Sequence, residues 1–284
     1  MSVNVRGSLA RLRSGGDLLT KSDRLIAETI LQDPHWMILA SIGEIAERSR
    51  TSEAAVSRLV RRLGFRSFPE FRVALAQDLA DGLEDINEDI AIDDDVGAIK
   101  RKTIAYNIRT LRDTSAVLTT ESLASAIDAL WAAERIAFMG IGGSGIVARD
   151  AYHKFFRTGR AVLALTDPHE QAMFAALSGP RDVLVFISHS GATRDLNDTA
   201  RVAKERGARI IAITHFGKPP LARLADVHLT TSSSETRYRP EALSSRIATL
   251  SILDILYIGF AVRMDRQLVE NLEAMRAVLA SRRV

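Results

Sequence analysis

The sequence predicts two domains of different class: an all-α N-terminal domain, followed by an α/β domain with a five-stranded parallel sheet. Three observations predict this. Residues 1–82 carry helical periodicity with repeated helix-start signals, five short β-branched runs alternate with helical stretches from about Ile136, and the charge reverses sign between the two regions. At 284 residues, 46% hydrophobic and 26% charged, the chain is long enough for two cores and composed like a globular protein rather than a disordered one.

Composition excludes several classes. There are no cysteines, so neither a disulfide framework nor a thiolate metal site is available. The N-terminal stretch MSVNVRGSLARLRSGG lacks the apolar segment of an export signal, and a cytoplasmic location is expected. The apolar run Ile247 to Val262 spans 16 residues and carries Asp254. That is short of the roughly 20 residues a spanning helix needs, so a buried interface helix is expected and no membrane partner. No His, Asp and Glu spacing suggests a metal, and no cofactor is expected. The net charge of +3 is too small to argue nucleic-acid binding; its distribution says more.

In the first domain, Ser41-Ile-Gly-Glu44 and Ser67-Phe-Pro-Glu70 fit the capping box, in which a hydroxyl and a carboxylate three residues on satisfy each other's free amides. Each opens a helix. Ser41 to Leu63 reads as two short helices separated by a turn around Ser49 to Thr51. In the second helix Val56, Leu59, Val60 and Leu63 fall at i, i+3, i+4 and i+7 on one buried stripe, which leaves Ala54, Ser57, Arg58 and Arg61 on the opposite face. Between residues 48 and 66 six arginines stand against one acid, Glu53. Small residues beside arginines suit a helix entering a DNA groove: arginine donates in a fork to guanine, and serine or alanine lets the backbone approach. The candidate DNA-binding residues are Ser52, Ala54, Ser57, Arg58 and Arg61, with Arg48, Arg62 and Arg66 flanking them to meet phosphates. An exposed helix with ordinary solvated arginines is the alternative on periodicity alone.

The run IGEIAERSRTSEAAVSRLVRRLGFRSFPEFRVALAQDL resembles the N-terminal domain of the RpiR family of regulators through Ala46, Val56, Ser57, Arg58, Leu63, Gly64, Phe65 and Phe71. The resemblance implies a helix-turn-helix that binds double-stranded DNA. Arg50 departs from the pattern, standing where the family has glycine or asparagine, which accept a left-handed backbone cheaply.

Residues 83–95 carry seven acids and no base and read as a solvated linker, which puts the DNA-binding domain at 1–82 and the second domain at 96–284. Beyond it the strands are expected at RIAFMGI, AVLAL, DVLVFIS, RIIAIT and ADVHLT, with helices after Pro240 to the end. The first strand runs into Gly140-Ile-Gly142-Gly143-Ser144-Gly145 and a helix. This is literally GxGxxG, and Asp167 after the next strand stands where a dinucleotide site has its ribose-binding acid. A lone match is weak, because any phosphate at a helix N-terminus favours glycines and free amides. The third strand ends in Ser188-His-Ser190-Gly191-Ala-Thr193 and opens another helix. Three hydroxyls around a glycine at a helix's positive end make a cage for a phosphate dianion, which a dinucleotide domain does not need.

Ile136 to Thr231 resembles a SIS, or sugar-isomerase, domain, whose motif is serine-x-serine-glycine-x-threonine. The resemblance implies a flavodoxin-like sandwich that binds a sugar phosphate, with Ser188, Ser190, Gly191 and Thr193 on the phosphate and Ser144 with the Gly142-Gly143 backbone reaching the sugar. His169, after the second strand, is a candidate for sugar hydroxyls or phosphate. Glu241 and Arg246, five residues apart on the first C-terminal helix, are candidates for the same pocket, the arginine completing the charge balance. His189 alternates with the two serines and is expected to point away. Leu268, Leu272, Met275 and Leu279 repeat as a narrow seam for another helix, of a second copy or of the same chain, and a homodimer or homotetramer is expected.

Together these features predict a non-enzymatic regulator of carbohydrate metabolism whose DNA binding responds to a sugar phosphate. An aldose-ketose sugar-phosphate isomerase is the enzyme alternative, with Glu241 or His169 as its base, and a dinucleotide-responsive regulator is a third.

Overall fold

The computed structural model describes residues 7–14, 19–80, 90–233 and 241–280. The chain separates into two compact units, Met1–Val117 with Ser232–Pro240, and Leu118–Thr231 with Glu241–Val284.

The first unit is helical: α1 (Ser8–Ser14), α2 (Lys21–Gln32), α3 (Pro34–Leu39), α4 (Ile42–Arg48), α5 (Glu53–Arg62), α6 (Phe68–Ala80) and α7 (Val96–Val117). Local chemistry starts each early helix. Thr20 and Asp23 form a capping box on α2, Asp33 accepts from the Trp36 amide ahead of α3, and Ser41 and Glu44 form the expected box on α4. At α6 the box is altered: Ser67 accepts from the Glu70 amide, but the Glu70 carboxylate takes the amide of Arg66 instead of that of Ser67. Val56, Leu59, Val60 and Leu63 are buried among Ile26, Ile45, Phe71 and Leu75, which confirms the stripe.

Both helices of the central pair end in the same way. The amide of Phe65 reaches the Val60 carbonyl (3.1 Å) and that of Gly64 reaches Arg61 (3.0 Å), a Schellman closure that places Gly64 at φ +91°. After α4, Thr51 bonds Ala46 (2.8 Å) and Arg50 bonds Glu47 (3.0 Å), which puts Arg50 in the glycine position at φ 54°. The turn geometry is therefore regular and the arginine carries the strain. A left-handed non-glycine residue costs roughly 1–2 kcal/mol, and glycine's extra freedom in the unfolded chain returns about 0.5–1 kcal/mol. Arg50→Gly is expected to raise stability by about 0.5–1 kcal/mol, read as a higher urea midpoint at unchanged slope.

The expected boundary at 83–95 and the observed grouping differ. Residues 83–89 lie outside the described residues. Asp95 accepts from the Ala98 amide (2.6 Å) and Asp94 pairs with Lys102 (2.7 Å), so the end of the acidic stretch is the start of α7. That helix groups with the first unit because it packs on α1: Gly7 lies against Ala116, and Arg13 meets Asp113 at 3.5 Å. Burial pushes the Asp113 carboxyl above its usual range, against the pull of Arg13 and Arg109. Asp78 on α6 fixes the start of α1 by accepting from the amides of Gly7 and Leu9 and the hydroxyl of Ser8.

The second unit contains α8 (Thr120–Ala132), β1 (Arg135–Met139), α9 (Gly143–Phe155), β2 (Ala161–Leu165), α10 (Pro168–Ala176), β3 (Asp182–Ile187), α11 (Arg194–Glu205), β4 (Arg209–His215), α12 (Pro220–Leu224), β5 (Val227–Thr231), α13 (Glu241–Met264) and α14 (Arg266–Ala280). All five strands pair in parallel in the order β2-β1-β3-β4-β5. Alternating residues divide between the faces. Ile136, Phe138, Val185 and Ile211 pack under α8, α9 and α13, while Ala137, Met139, Leu184 and Ile210 pack under α10, α11 and α12. The result is the expected three-layer sandwich.

Strand order reverses between β1 and β3, whose starts are joined in register by a two-pronged pair. Arg135 donates from Nε and Nη2 to the two carboxylate oxygens of Asp182 (2.7 and 2.6 Å). The guanidinium holds the Asp182 carboxyl below its ordinary range. The apolar run lies within α13, where Ser245–Met264 is long and apolar enough to cross a membrane by length and composition. Here Ile252, Leu253, Leu256 and Phe260 are buried in the core, and Ile258 and Val262 are exposed. In α14, Leu268 leans on that same core, so the expected seam is partly used within the chain.

Candidate functional site

On α5, Ala54, Arg58 and Arg61 are exposed and Ser57 is half-buried, all opposite the buried stripe, and Ser52 caps the helix by accepting from the Ala55 amide (3.2 Å). Arg58 and Arg61 carry no ion pair among the described residues. The flanking arginines are differently placed. Arg62 pairs with Asp23, which is almost wholly buried, and Arg48 lies over the Trp36 ring at 4.3 Å with Asp33 3.8 Å away. Both are tied to the fold as well as partly exposed, whereas Arg66 is exposed. Arg11 was not anticipated. It lies over Phe65 (4.8 Å to the ring centre) and donates to the Leu63 carbonyl (2.9 Å) at the end of α5, and burial pulls its pKa down. A residue 52 positions away in sequence left no local signal.

In the second unit a cavity of about 170 Å³ opens where β1 and β3 end, lined by Gly143, Ser144, Ser188, His189, Ser190, Thr193, Ser245 and Arg246 among others. This is the switch point of the sheet, where open parallel sheets bind ligands. The two helices that start at the cavity lack the side-chain cap most others have, as does the short α12 after Pro219. The starts of α2, α3, α4, α5, α8 and α10 are closed by a side-chain cap, whereas those of α9 (after Gly142, φ 58°) and α11 (after Thr193) have none. The positive end of the helix dipole therefore faces the cavity from both sides, although at α9 the amides of Ser144 and Gly145 are taken by the carbonyls of Ile141 (3.2 Å) and Gly142 (3.0 Å). Glycine is required at Gly140, where a Cβ would fall 2.5 Å from the Ser144 carbonyl oxygen, and at Gly191, at φ +58° with Pro219 2.7 Å from any Cβ.

The serine loop is more ordered than a set of parallel donors. The Gly191 amide donates to Ser188 Oγ (3.1 Å) and the Ala192 amide to Ser190 Oγ (3.3 Å), so each hydroxyl already accepts a bond and keeps its own proton for a ligand. Such a chain polarises the hydroxyl toward an anion. Arg246 on α13 brings a guanidinium to the lining. Its Nε is buried and has no partner among the described residues.

His189 and His169 stand elsewhere than expected. His189 lines the cavity rather than pointing away, because β3 ends at Ile187 and strand alternation stops there; its ring lies 4.9 Å from that of His215. His169 is exposed on the first turn of α10 and is not among the lining residues. Asp167 is spent as the cap of α10, accepting from the amides of His169 (2.9 Å) and Glu170 (3.1 Å), which removes the acid a dinucleotide site would use. Glu241 begins α13 and its side chain lies outside the described residues.

Residues 6–82 match the family described as helix-turn-helix domain, rpiR family, and residues 129–259 match SIS domain. The chain is 37% identical over 274 residues to an uncharacterized HTH-type transcriptional regulator of Thermotoga maritima, covering 96% of this chain and 98% of the relative. It is 34% identical over 279 residues to the HTH-type transcriptional regulator HexR of Pseudomonas aeruginosa, covering 98% of each. Among solved structures, the Vibrio vulnificus NanR protein complexed with ManNAc-6P aligns with a TM-score of 0.61 at 26% identity, covering 98% of this chain and 99% of that one.

Proposed function

The chain belongs to the rpiR family of helix-turn-helix transcriptional regulators with a SIS domain, DNA-binding regulators of carbohydrate metabolism, and from that premise we propose that a sugar phosphate bound at the β1/β3 switch point modulates DNA binding by α5. The observation that carries the proposal is the convergence of two helix N-termini without side-chain caps on one cavity that also holds an arginine with a bare, buried Nε. Ser188, Ser190 and Thr193 take the phosphate, Gly143 and Ser144 approach the sugar, and Arg246 supplies the remaining charge. Arg58 and Arg61 read bases, and Arg66 meets the backbone.

The test is a thermal-unfolding screen over hexose, pentose and amino-sugar phosphates, because a ligand that binds only the native state raises its apparent stability. A melting point unmoved by every phosphorylated sugar would overturn the reading.

We further infer binding without turnover. His169, one of two bases an isomerase would use, stands outside the lining. Incubation of the pure protein with the same panel tests this, and any aldose-ketose conversion would refute it.

A homodimer through the C-terminal helices completes the proposal. No residue of α14 is buried, and Val269, Val278 and Leu279 on it are more than half exposed. A helix of this length is marginal without a packed face. Light scattering at micromolar concentration is expected to give twice the chain mass, and two-fold symmetry then requires a pseudo-palindromic operator.

A further inference from the structure

An anion site must keep carbonyl oxygens away from the ligand as well as present donors, because a carbonyl dipole aimed at the anion repels it. Behind each loop of the switch-point cavity stands a buried carboxamide that no sequence motif singled out. Asn197 on α11, 4% exposed, donates from Nδ2 to the Gly191 carbonyl (3.2 Å) and the Thr193 carbonyl (2.8 Å). Gly191 O also accepts from the Leu221 amide (3.1 Å), so that carbonyl is held on the protein side by two donors. Gln171 on α10, 0% exposed, holds the carbonyl that opens the first loop, donating from Nε2 to Gly140 (3.2 Å), and donates as well to the carbonyl of Leu165 at the end of β2 (2.8 Å). In both side chains the amide oxygen is buried and has no hydrogen-bond partner among the described residues. Packing alone does not explain this. A buried amide with a bare oxygen is a poorer core residue than leucine or methionine, and only its NH₂ end is in use.

We propose that Asn197 and Gln171 are positioning residues for phosphate: Asn197 holds back the carbonyls of Gly191 and Thr193, and Gln171 that of Gly140, so that each loop presents hydroxyl protons rather than carbonyl oxygens to the anion. The inference rests on the phosphosugar reading of the cavity, and its test separates the two.

Inorganic phosphate is the probe, titrated against wild type and Asn197→Leu, a near-isosteric change that removes the donor without adding charge. Two readouts are followed, the melting temperature and the phosphate-dependent amide shifts of Gly191 and Ala192 in two-dimensional NMR. The expected result is that Asn197→Leu melts cooperatively without ligand, near or above the wild-type temperature, while its affinity for phosphate falls at least tenfold and the amide shifts at Gly191 and Ala192 are lost. A merely structural asparagine would move the melting temperature and leave the phosphate midpoint where it was, which would overturn the inference. Wild type that shows no phosphate response would instead refute the site reading, and the inference with it. Should Asn197→Leu not fold, Gln171→Met carries the same expectation from the other loop, and an unchanged phosphate midpoint there overturns it equally.

Discussion

Arg246→Ala is expected to weaken binding of a phosphorylated sugar by roughly tenfold to a hundredfold, from the loss of about 1.5–3 kcal/mol for one charge-assisted hydrogen bond. The fold should not suffer. The half-buried guanidinium lines the cavity with its Nε bare, so its removal breaks no bond found among the described residues. Calorimetric titration of wild type and mutant with the strongest ligand from the thermal screen measures the difference. Equal affinities would show that the anion is held elsewhere. Ser190→Ala should cost less than Arg246→Ala, because losing that hydroxyl frees the Ala192 amide to donate to the phosphate directly.

The second large effect is expected on DNA. Arg58→Ala combined with Arg61→Ala should weaken specific binding by about 1–3 kcal/mol for each bidentate arginine–base pairing removed, and the two effects add where the pairings are independent. Melting temperature should stay near wild type, since both side chains are exposed and unpaired among the described residues. Arg62→Ala is the contrast. It leaves the carboxylate of Asp23 buried without its cation and should lower stability and DNA affinity together. A gel-shift series at two salt concentrations, paired with thermal melts, separates these cases. Wild-type operator affinity in the double mutant would refute the recognition-helix assignment.

Where the physics is local, the sequence was legible. The 3.6-residue period put Val56, Leu59, Val60 and Leu63 on a buried face, and the short β-branched runs became five parallel strands in place. The two glycine-and-serine loops that line one cavity were legible as strand-to-helix turns for the same reason: a turn at a helix start needs no distant partner. What was not legible depends on distant partners. The grouping of α7 with the N-terminal helices follows from its packing against Gly7 and Arg13, about a hundred residues away. Asn197 and Gln171 look like ordinary helix residues until the loops they hold are folded over them. His189 was misplaced because alternation was carried two residues beyond the end of β3, into a turn with its own geometry.

The parallel sheet order also sets a sequence of events in time. β1 and β3 pair across the whole β2 to α10 segment, and Arg246 is translated more than fifty residues after Ser190. Pairings of such separation form slowly, and a growing parallel sheet shows bare strand edges until its last strand arrives. The switch-point cavity is therefore a late product of synthesis, while α4 and α5 draw mainly on short-range packing with each other and with α2. A ligand of the finished cavity acts on this schedule as a pharmacological chaperone does, drawing the slow unit into its native state by mass action.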